Sequence, residues 1–234
     1  MAADPSQLEL LARGQVDIVG RMPWSSNATF LVDVALDDQR CQAIYKPLRG
    51  ERPLWDFEPG LHRRERAAYL LSEAMGLGIV PATVLRDGPL GEGSLQWFVN
   101  ANHEQHYFTL HESRPELHEA MRQVAVFDLL ANNTDRKSGH VLIDSDDRVW
   151  AIDHGLCFAA EFKLRTVIWE FAGESIGPAL ITAAQQIART VPVGIAALLS
   201  DDEVAALGAR AQWVVDHGEF PVDPTGRRYP WPLV

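Results

Sequence analysis

The chain has 234 residues, of which 47% are hydrophobic and 23% are charged, and its formal net charge at pH 7 is −11. This composition indicates a globular protein with a sizeable core and excludes an intrinsically disordered chain. The negative charge argues against a nucleic-acid partner and against stable association with an anionic membrane, because either would repel the protein at long range.

Cysteine content and terminal sequence suggest a cellular location. Cys41 and Cys157 are too few and too far apart for a disulfide framework or a cysteine-based zinc site. The first residues, MAADPSQLELLARG, lack the basic stretch and apolar core of a secretory signal. No apolar run reaches the roughly 18 residues that cross a bilayer. We therefore expect a protein of the reducing cytoplasm.

The first hundred residues predict a small helix, an antiparallel sheet and one long helix. LELLARG (8–14) has amphipathic spacing and ends at a glycine. VDIVGRM, NATFLVDVAL and CQAIYKPL are rich in β-branched and aromatic residues, which is typical of strands. A helix follows at 60–78, and two more strands flank the glycine-rich RDGPLGEG.

From about residue 100 the pattern becomes helical. RPELHEAMRQVAVFDLLANN has apolar residues at spacings of three and four, and HVLID and RVWAID predict a short hairpin. The remainder to about residue 217 is expected to be mostly helix, and FPVDPTGRRYPWPLV an irregular surface segment. A strand-rich part followed by a helix-rich part predicts an α+β fold with two lobes, residues 1–99 and 100–234.

Phosphoryl transfer requires a loop over the phosphates, a cation on them, ligands for a metal ion and a carboxylate beside the acceptor hydroxyl. PWSSNATF (23–30) lies between two strands and is either such a loop or an ordinary hairpin turn. Lys46, near the end of a strand, either points into a cleft or is a solvated edge lysine. Glu65 is either its partner or a surface ion pair with neighbouring arginines.

Two aspartates are stronger candidates for a phosphoryl-transfer site than the residues above. Asp135 follows the end of a helix in a polar loop, where a carboxylate can accept a proton from an acceptor hydroxyl. Asp153 follows an apolar strand and precedes Gly155, and an unpaired carboxylate there would be costly unless it held a divalent cation. Each aspartate alone has the alternative of a turn or cap residue, but the pair with its intervening hairpin favours a site.

NNTDRKSGHVLI followed by AIDHGL resembles the catalytic and metal-binding loops of the phosphatidylinositol 3- and 4-kinase-like superfamily, particularly the type II lipid kinases and the HipA-like bacterial kinases. RERAAYLLSEAMGLGIVPATV and QWFV resemble the helix, following strand and hinge of its N-lobe. The similarity spans about residues 18–160. It implies a two-lobed protein-kinase-like fold with a reduced helical C-lobe.

The resemblance also implies roles for individual residues. Asp135 would be the catalytic aspartate with Arg136 as its structural partner, and Asp153 would hold Mg²⁺ or Mn²⁺. ATP would be held by a phosphate loop, a lysine–glutamate pair and the hinge backbone: Ser25, Ser26, Asn27, Lys46, Glu65, Phe98 and Val99. One position departs from the family, because His140 stands where a metal-binding Asn is expected five residues after the catalytic Asp. Imidazole suits Mg²⁺ less well than an oxygen ligand does.

Three functions remain open from the sequence. The first is an ATP-dependent kinase acting on a protein, possibly itself, or on a soluble small molecule. The second is a nucleotide-binding pseudokinase, and the third is an AMP transferase that uses the same residues. A phosphoinositide kinase is less favoured, because the chain is acidic and has no basic amphipathic helix. HEQHYFTLHE lacks the spacing of a metalloprotease helix and does not indicate a protease.

Overall fold

The computed structural model describes residues 5–23, 25, 27–102 and 104–234. Its helices are α1 (Pro5–Arg13), α2 (Leu61–Ala74), α3 (Tyr107–Ser113), α4 (His118–Ala131), α5 (Pro178–Arg189), α6 (Val193–Ala196) and α7 (Asp201–His217). Its strands are β1 (Gln15–Arg21), β2 (Phe30–Leu36), β3 (Gln39–Pro47), β4 (Thr83–Gly88), β5 (Gly91–Trp97), β6 (Val141–Ile143) and β7 (Val149–Ala151). The predicted α+β class is confirmed.

The N-lobe is a five-stranded antiparallel sheet in the order β1-β2-β3-β5-β4. Alternation along the strands decides which side chains face the core. In β3, Ala43 and Tyr45 are buried, whereas Ile44 and Lys46 project from the other face of the sheet. The period of two therefore directs Lys46 into the cleft between the sheet and the helical part.

The glycine-rich hairpin between β4 and β5 has a two-residue turn, with Gly88 paired to Gly91. Gly91 has a φ of 97°, which favours glycine. A β-carbon on Gly93 would come within 2.7 Å of the Tyr45 ring and 2.5 Å of the Lys46 carbonyl. The glycines thus allow β5 to pack closely against the strand that carries Lys46.

Helix α2 lies against the sheet and buries polar as well as apolar side chains. Glu65 and His62 are each only 1% exposed, and Ala67, Ala68 and Leu71 belong to the main core. The helix ends at Ala74, earlier than the predicted residue 78, because Gly76 adopts a left-handed conformation with φ 69°. Both buried polar residues face the cleft.

The helical part is built around α4, whose residues Val124, Val126, Phe127 and Leu130 are fully buried. Helices α5 and α7 pack on it and on each other. Among the described helices, none has the length and apolar character needed to cross a bilayer. The irregular course predicted for the C-terminal residues is confirmed, and the Ser138 N–H donates a hydrogen bond of 2.8 Å to the Leu233 carbonyl.

The remainder to about residue 217 was expected to be mostly helix, and α5, α6 and α7 lie there, but residues 157–177 contain no α-helix. Helix α3 had not been predicted. Several backbone groups of residues 157–177 bond to the loop after α4 instead: the Arg165 N–H donates to the Asn133 carbonyl at 2.9 Å, and the Val167 N–H donates to the Arg136 carbonyl at 3.1 Å. Tertiary pairing therefore replaces helical hydrogen bonds in this segment.

Candidate active site

A cleft of about 360 Å³ separates the sheet from the helical part. The predicted site residues that line it are Ser25, Asn27, Lys46, Glu65, Phe98, Val99, Asp135, His140 and Asp153. Ser26 lies outside the described residues. Arg136 lies beneath the cleft and is fully buried. Residues spread over more than a hundred positions of the sequence are therefore brought to one surface.

Lys46 stands at the centre of the site. Its ammonium group contacts Glu65 Oε1 and donates to Asp153 Oδ1 at 2.8 Å. Burial disfavours the charged form of Lys46 and by itself would lower its pKa. The attraction of the Asp153 and Glu65 carboxylates is stronger than this effect and raises the pKa of Lys46. The lysine is therefore a cation held in place by two acids, and it is not a solvated edge residue.

Glu65 connects helix α2 to the loop that carries Asp153. Its second oxygen, Oε2, accepts a hydrogen bond of 3.1 Å from the backbone N–H of His154. The position of α2 therefore determines where the Lys46 ammonium lies and where the backbone next to Asp153 lies. Asp153 itself has a φ of 61°, an uncommon conformation for an aspartate that aims its carboxylate into the cleft.

The two aspartates differ in protonation behaviour. The ammonium of Lys46 lowers the pKa of Asp153, so this carboxylate stays ionised. Burial raises the pKa of Asp135, and the nearby Lys137 ammonium, 3.1 Å from Asp135 Oδ2, only partly offsets that effect. Asp135 is therefore the more basic of the two carboxylates and the better proton acceptor.

Arg136 lies beneath the cleft and supports it through buried hydrogen bonds. Its guanidinium binds Asp128 through two hydrogen bonds, of 2.8 and 2.9 Å, and donates to the Ile152 carbonyl at 2.7 Å. It also donates to His154 Nε2 at 2.8 Å. Since the guanidinium contacts α4, the residue after β7 and the residue after Asp153, Arg136 positions these segments and does not face the cleft.

His140 lies beside Asp153, with its Nε2 at 3.4 Å from Asp153 Oδ2. Its Nδ1 is 3.0 Å from the Asp135 carbonyl oxygen and 3.5 Å from the Lys137 N–H, and the shorter contact, to an atom that only accepts, assigns the proton to Nδ1. Burial lowers the pKa of His140 to about 4, so the imidazole is neutral at neutral pH. The unprotonated Nε2 thus faces the carboxylate of Asp153.

The N-lobe side of the cleft comes from the β1–β2 connection and the residues after β5. The Ser25 hydroxyl bonds Thr29 Oγ1 at 2.7 Å, and Asn27 Oδ1 accepts from the Arg52 N–H at 2.9 Å. The Phe98 N–H donates to the Gln42 carbonyl at 3.1 Å, so this amide is already used by the sheet. Of the two predicted hinge residues, only Val99 therefore offers an N–H for a ligand.

The possible metal ligands around Asp153 suit a divalent ion that is also bound by the phosphates of a nucleotide. Mg²⁺ is usually held by one or two protein groups together with substrate oxygens and water. Asp153 and the free nitrogen of His140 provide two such groups. Within the described parts of the chain, no cluster of three or more His, Cys, Asp or Glu could hold a metal on its own. The site fits a nucleotide-bound ion.

Several residues of the site were not identified from the sequence. Ile44, Leu142 and Ile152 line the cleft with apolar side chains, and Lys137 contacts Asp135. Periodicity marks the apolar residues only as buried strand positions, so it did not separate them from the core. Asn132, also missed, adopts a left-handed conformation with φ 51° at the end of α4. Asparagine after a helix is the signal that could have identified it.

Fold and cleft together define a kinase-like protein with a sheet lobe above a helical part. A profile described as phosphatidylinositol 3- and 4-kinase matches residues 61–176. A protein of Mycobacterium tuberculosis, Protein Rv2133c, is 37% identical, with 95% of this chain and 94% of that protein covered. The chain belongs to the phosphatidylinositol 3- and 4-kinase-like superfamily of atypical kinases.

Two solved structures have a similar fold. The Helicobacter pylori proinflammatory kinase CtkA has a TM-score of 0.53 at 11% identity, covering 90% of this chain and 94% of that chain. Hydra Fam20, solved with sugar, has a TM-score of 0.53 at 12% identity, covering 89% and 86%. At these identities the similarity establishes the fold, and the predicted kinase-like architecture is confirmed.

Proposed function

We propose that the protein transfers the γ-phosphoryl group of ATP to a hydroxyl of a protein or of a soluble small molecule. The observation that carries this proposal is the Lys46 ammonium held between Glu65 and Asp153 in the cleft that Asp135 also lines. A cation for phosphates, an ionised carboxylate for a metal and a more basic carboxylate for a proton are the components that phosphoryl transfer requires.

In this proposal the sheet lobe, residues 1–99, and the helical part, residues 100–234, enclose the nucleotide. Ile44 and Leu142 offer apolar surface for the adenine ring. The Val99 backbone offers the hinge hydrogen bonds. Ser25 and Asn27 lie on the β1–β2 connection near the phosphates, where backbone N–H groups can bind phosphate oxygens.

Lys46 would bind oxygens of the α- and β-phosphates as a point charge, while Glu65 keeps it in position. Asp153 and His140 would hold Mg²⁺ or Mn²⁺, which when bound neutralises developing charge on the phosphates. Lys46 bonds Asp153 at 2.8 Å. Nucleotide entry therefore requires this ion pair to separate, or requires both side chains to bind the nucleotide while they stay in contact. The lysine and the carboxylate then act on the same phosphates from two sides.

Asp135 would orient the acceptor hydroxyl and take its proton. The acceptor oxygen forms a bond to the γ-phosphorus as the bond to the β–γ bridging oxygen breaks, and ADP leaves with that electron pair. The proton passes to Asp135, whose pKa is raised by burial, and returns to solvent afterwards. Lys137 stays close enough to balance the charge of the carboxylate between turnovers.

The test is incubation of the protein with γ-labelled ATP and either Mg²⁺ or Mn²⁺, followed by mass spectrometry of the protein and of added acceptors. Phosphate on an acceptor or on the chain supports the proposal. An AMP adduct would replace it with nucleotide transfer, and nucleotide binding with no product would indicate a pseudokinase. Asp135→Asn is the control that must abolish a genuine transfer signal while still binding ATP.

A further inference from the structure

A second cavity, of about 530 Å³, lies next to the nucleotide cleft and has no part in the site described above. Three segments wall it: residues 48–61 before and at the start of α2, residues 159–163 after the Asp153 loop, and the first turn of α7. Glu51 and Leu61 line both cavities, so the two spaces adjoin. We call this second space the acceptor cavity.

The walls of the acceptor cavity are predominantly acidic. Six carboxylate side chains line it, against three cationic ones. Lys163 contacts Asp56 at 3.5 Å and Arg64 contacts Glu203 at 2.5 Å. Within the described residues, no cation lies within ion-pair distance of Glu58 or Asp202. The space therefore presents unbalanced negative charge, which opposes an anionic ligand and favours a cationic one.

The cavity also has aromatic walls. Trp55 is 92% exposed, although large aromatic side chains are usually covered. The Lys163 ammonium lies 5.6 Å from the centre of the Trp55 ring and 5.7 Å from that of the Phe57 ring. These rings already accept a cation, and the exposed face of Trp55 remains accessible to another.

One wall of the cavity is joined to the segment between α4 and Asp135. Asn132, three residues before Asp135, donates to the Ala159 carbonyl at 2.8 Å and to the Glu161 carbonyl at 2.7 Å. Its oxygen accepts from the Lys163 N–H at 2.8 Å. Residues 159–163 are therefore tied by three hydrogen bonds to a residue three positions before Asp135.

On this basis we propose that the acceptor cavity binds a positively charged, hydroxyl-bearing polypeptide segment, and that this segment is the phosphoryl acceptor. The inference rests on the proposed function for the transfer step, whereas the binding step stands independently. A cationic side chain of the segment would stack on Trp55 and pair with Glu58 and Asp202. A neighbouring serine or threonine would then reach the adjoining cleft.

The test uses the full chain and peptides of matched length: basic RKGSVKR, acidic EDGSVDE, and RKGAVKR, which cannot be phosphorylated. Fluorescence anisotropy of labelled RKGAVKR measures binding without chemistry. We expect RKGAVKR to bind, EDGSVDE to bind far more weakly, and added salt to reduce the affinity for RKGAVKR. Trp55→Ala should weaken binding by about two- to fivefold, and Asp202→Lys by about fivefold or more.

Asp146→Lys, a charge reversal in the exposed β6–β7 turn, is the matched control and should leave binding unchanged. With ATP and metal, RKGSVKR should be phosphorylated, and the cavity variants should raise its KM while ATP affinity stays constant. Binding without phosphorylation would refute the transfer step and leave the cavity assignment intact. Equal binding of acidic and basic peptides, or insensitivity to both cavity variants, would overturn the assignment even if transfer occurs.

Discussion

The side-chain oxygen of Asn132 accepts a hydrogen bond of 2.8 Å from the backbone N–H of Lys163. With its two donated bonds to residues 159 and 161, this buried side chain ties the end of α4 to the wall of the acceptor cavity. Its left-handed backbone, with φ 51°, is what turns the side chain toward that wall. One asparagine therefore fixes a segment that has no helix or strand of its own.

Replacement of Asn132 should loosen that segment. Asn132→Gly removes three hydrogen bonds, and we expect a loss of about 2–4 kcal/mol of unfolding free energy at about 1 kcal/mol per bond. Asn132→Ala should be at least as destabilising, because alanine in the left-handed conformation costs about 1–2 kcal/mol. Urea unfolding measures stability, and hydrogen exchange should rise at residues 159–163. Unchanged exchange there would contradict the role of Asn132.

Asp135→Asn should lower the rate of phosphoryl transfer by about 10²- to 10⁴-fold, because an amide cannot take the acceptor proton. ATP affinity should change little, because Asp135 is not expected to bind the nucleotide. Initial rates with labelled ATP and calorimetric titration separate the two quantities. Asp146→Asn, in the exposed turn of the β6–β7 hairpin, is the matched control. Loss of affinity together with rate would instead identify Asp135 as a metal ligand or structural residue.

Lys46→Met should weaken ATP binding by about tenfold or more, because a hydrogen bond to a charged group contributes about 1.5–3 kcal/mol. Methionine keeps the length of the side chain but not its charge, and it leaves the two carboxylates of Glu65 and Asp153 unpaired. Arg40→Met, at the exposed opposite end of the same strand, should bind ATP as the wild type does. Equal affinity in both variants would exclude a phosphate contact for Lys46.

His140→Asn should shift activity from Mn²⁺ towards Mg²⁺, because an oxygen replaces the nitrogen that now faces Asp153. The measurement is the ratio of transfer rates in the two metals at saturating ATP. His140→Gln, which also offers an amide but at a greater reach, tests whether geometry matters. If His140→Asn keeps the wild-type ratio, His140 only packs the loop and bonds the Asp135 carbonyl.

Stability should depend on pH through His62, whose ring contacts Glu51 at 3.2 Å and Glu92 at 3.1 Å. Burial disfavours its charged form, but the hydrogen bonds to these glutamates outweigh that effect and raise the pKa of His62 above 6.5. The folded protein therefore binds this proton more tightly than the unfolded chain does. The resulting stabilisation is complete below about pH 6.5 and is lost as the pH rises through the raised value.

The measurement is the free energy of unfolding of wild type and His62→Gln at about pH 5.5 and about pH 9. The difference between the two proteins should be about 1.5 kcal/mol or more at the lower pH and should shrink at the higher one. The only other cation within 4 Å of these glutamates in the described chain is Arg63, 3.7 Å from Glu92, and it does not titrate in this range. A constant difference would show that His62 stabilises the fold in its neutral form.

The sequence predicted the sheet and the paired aspartates because each depends on local pattern. β-Branched and aromatic residues identified β2 and β3 as strands, and polar residues after apolar runs marked the two loops. Residues 157–177 were mispredicted because Phe158, Leu164, Val167 and Phe171 are buried by contacts with distant segments. Their spacing resembles a helix, but the Phe158 N–H donates to the Ala131 carbonyl at the end of α4, and the Val167 N–H donates to the Arg136 carbonyl in the loop after it.

Helix α3 was missed for a different reason. It has seven residues, too few for a periodic pattern to emerge, and it is fixed by Tyr107 and Leu110, which are both buried. The bidentate contact of Arg136 with Asp128 was equally invisible, because an aspartate within an apolar helix gives no sign of its partner. The sequence thus located the charged residues that line the cleft more readily than the residues that support them.

The bond between Lys46 and Asp153 joins positions 107 residues apart. Closing a loop of this length carries an entropic cost that local contacts do not have, so we expect this contact to form after the local structure of both halves. A newly made chain would therefore be unable to retain nucleotide until the halves dock. Under the proposed function, ATP that binds only the docked form would shift the equilibrium towards the folded state, and so would stabilise the protein as well as serve as its phosphoryl donor.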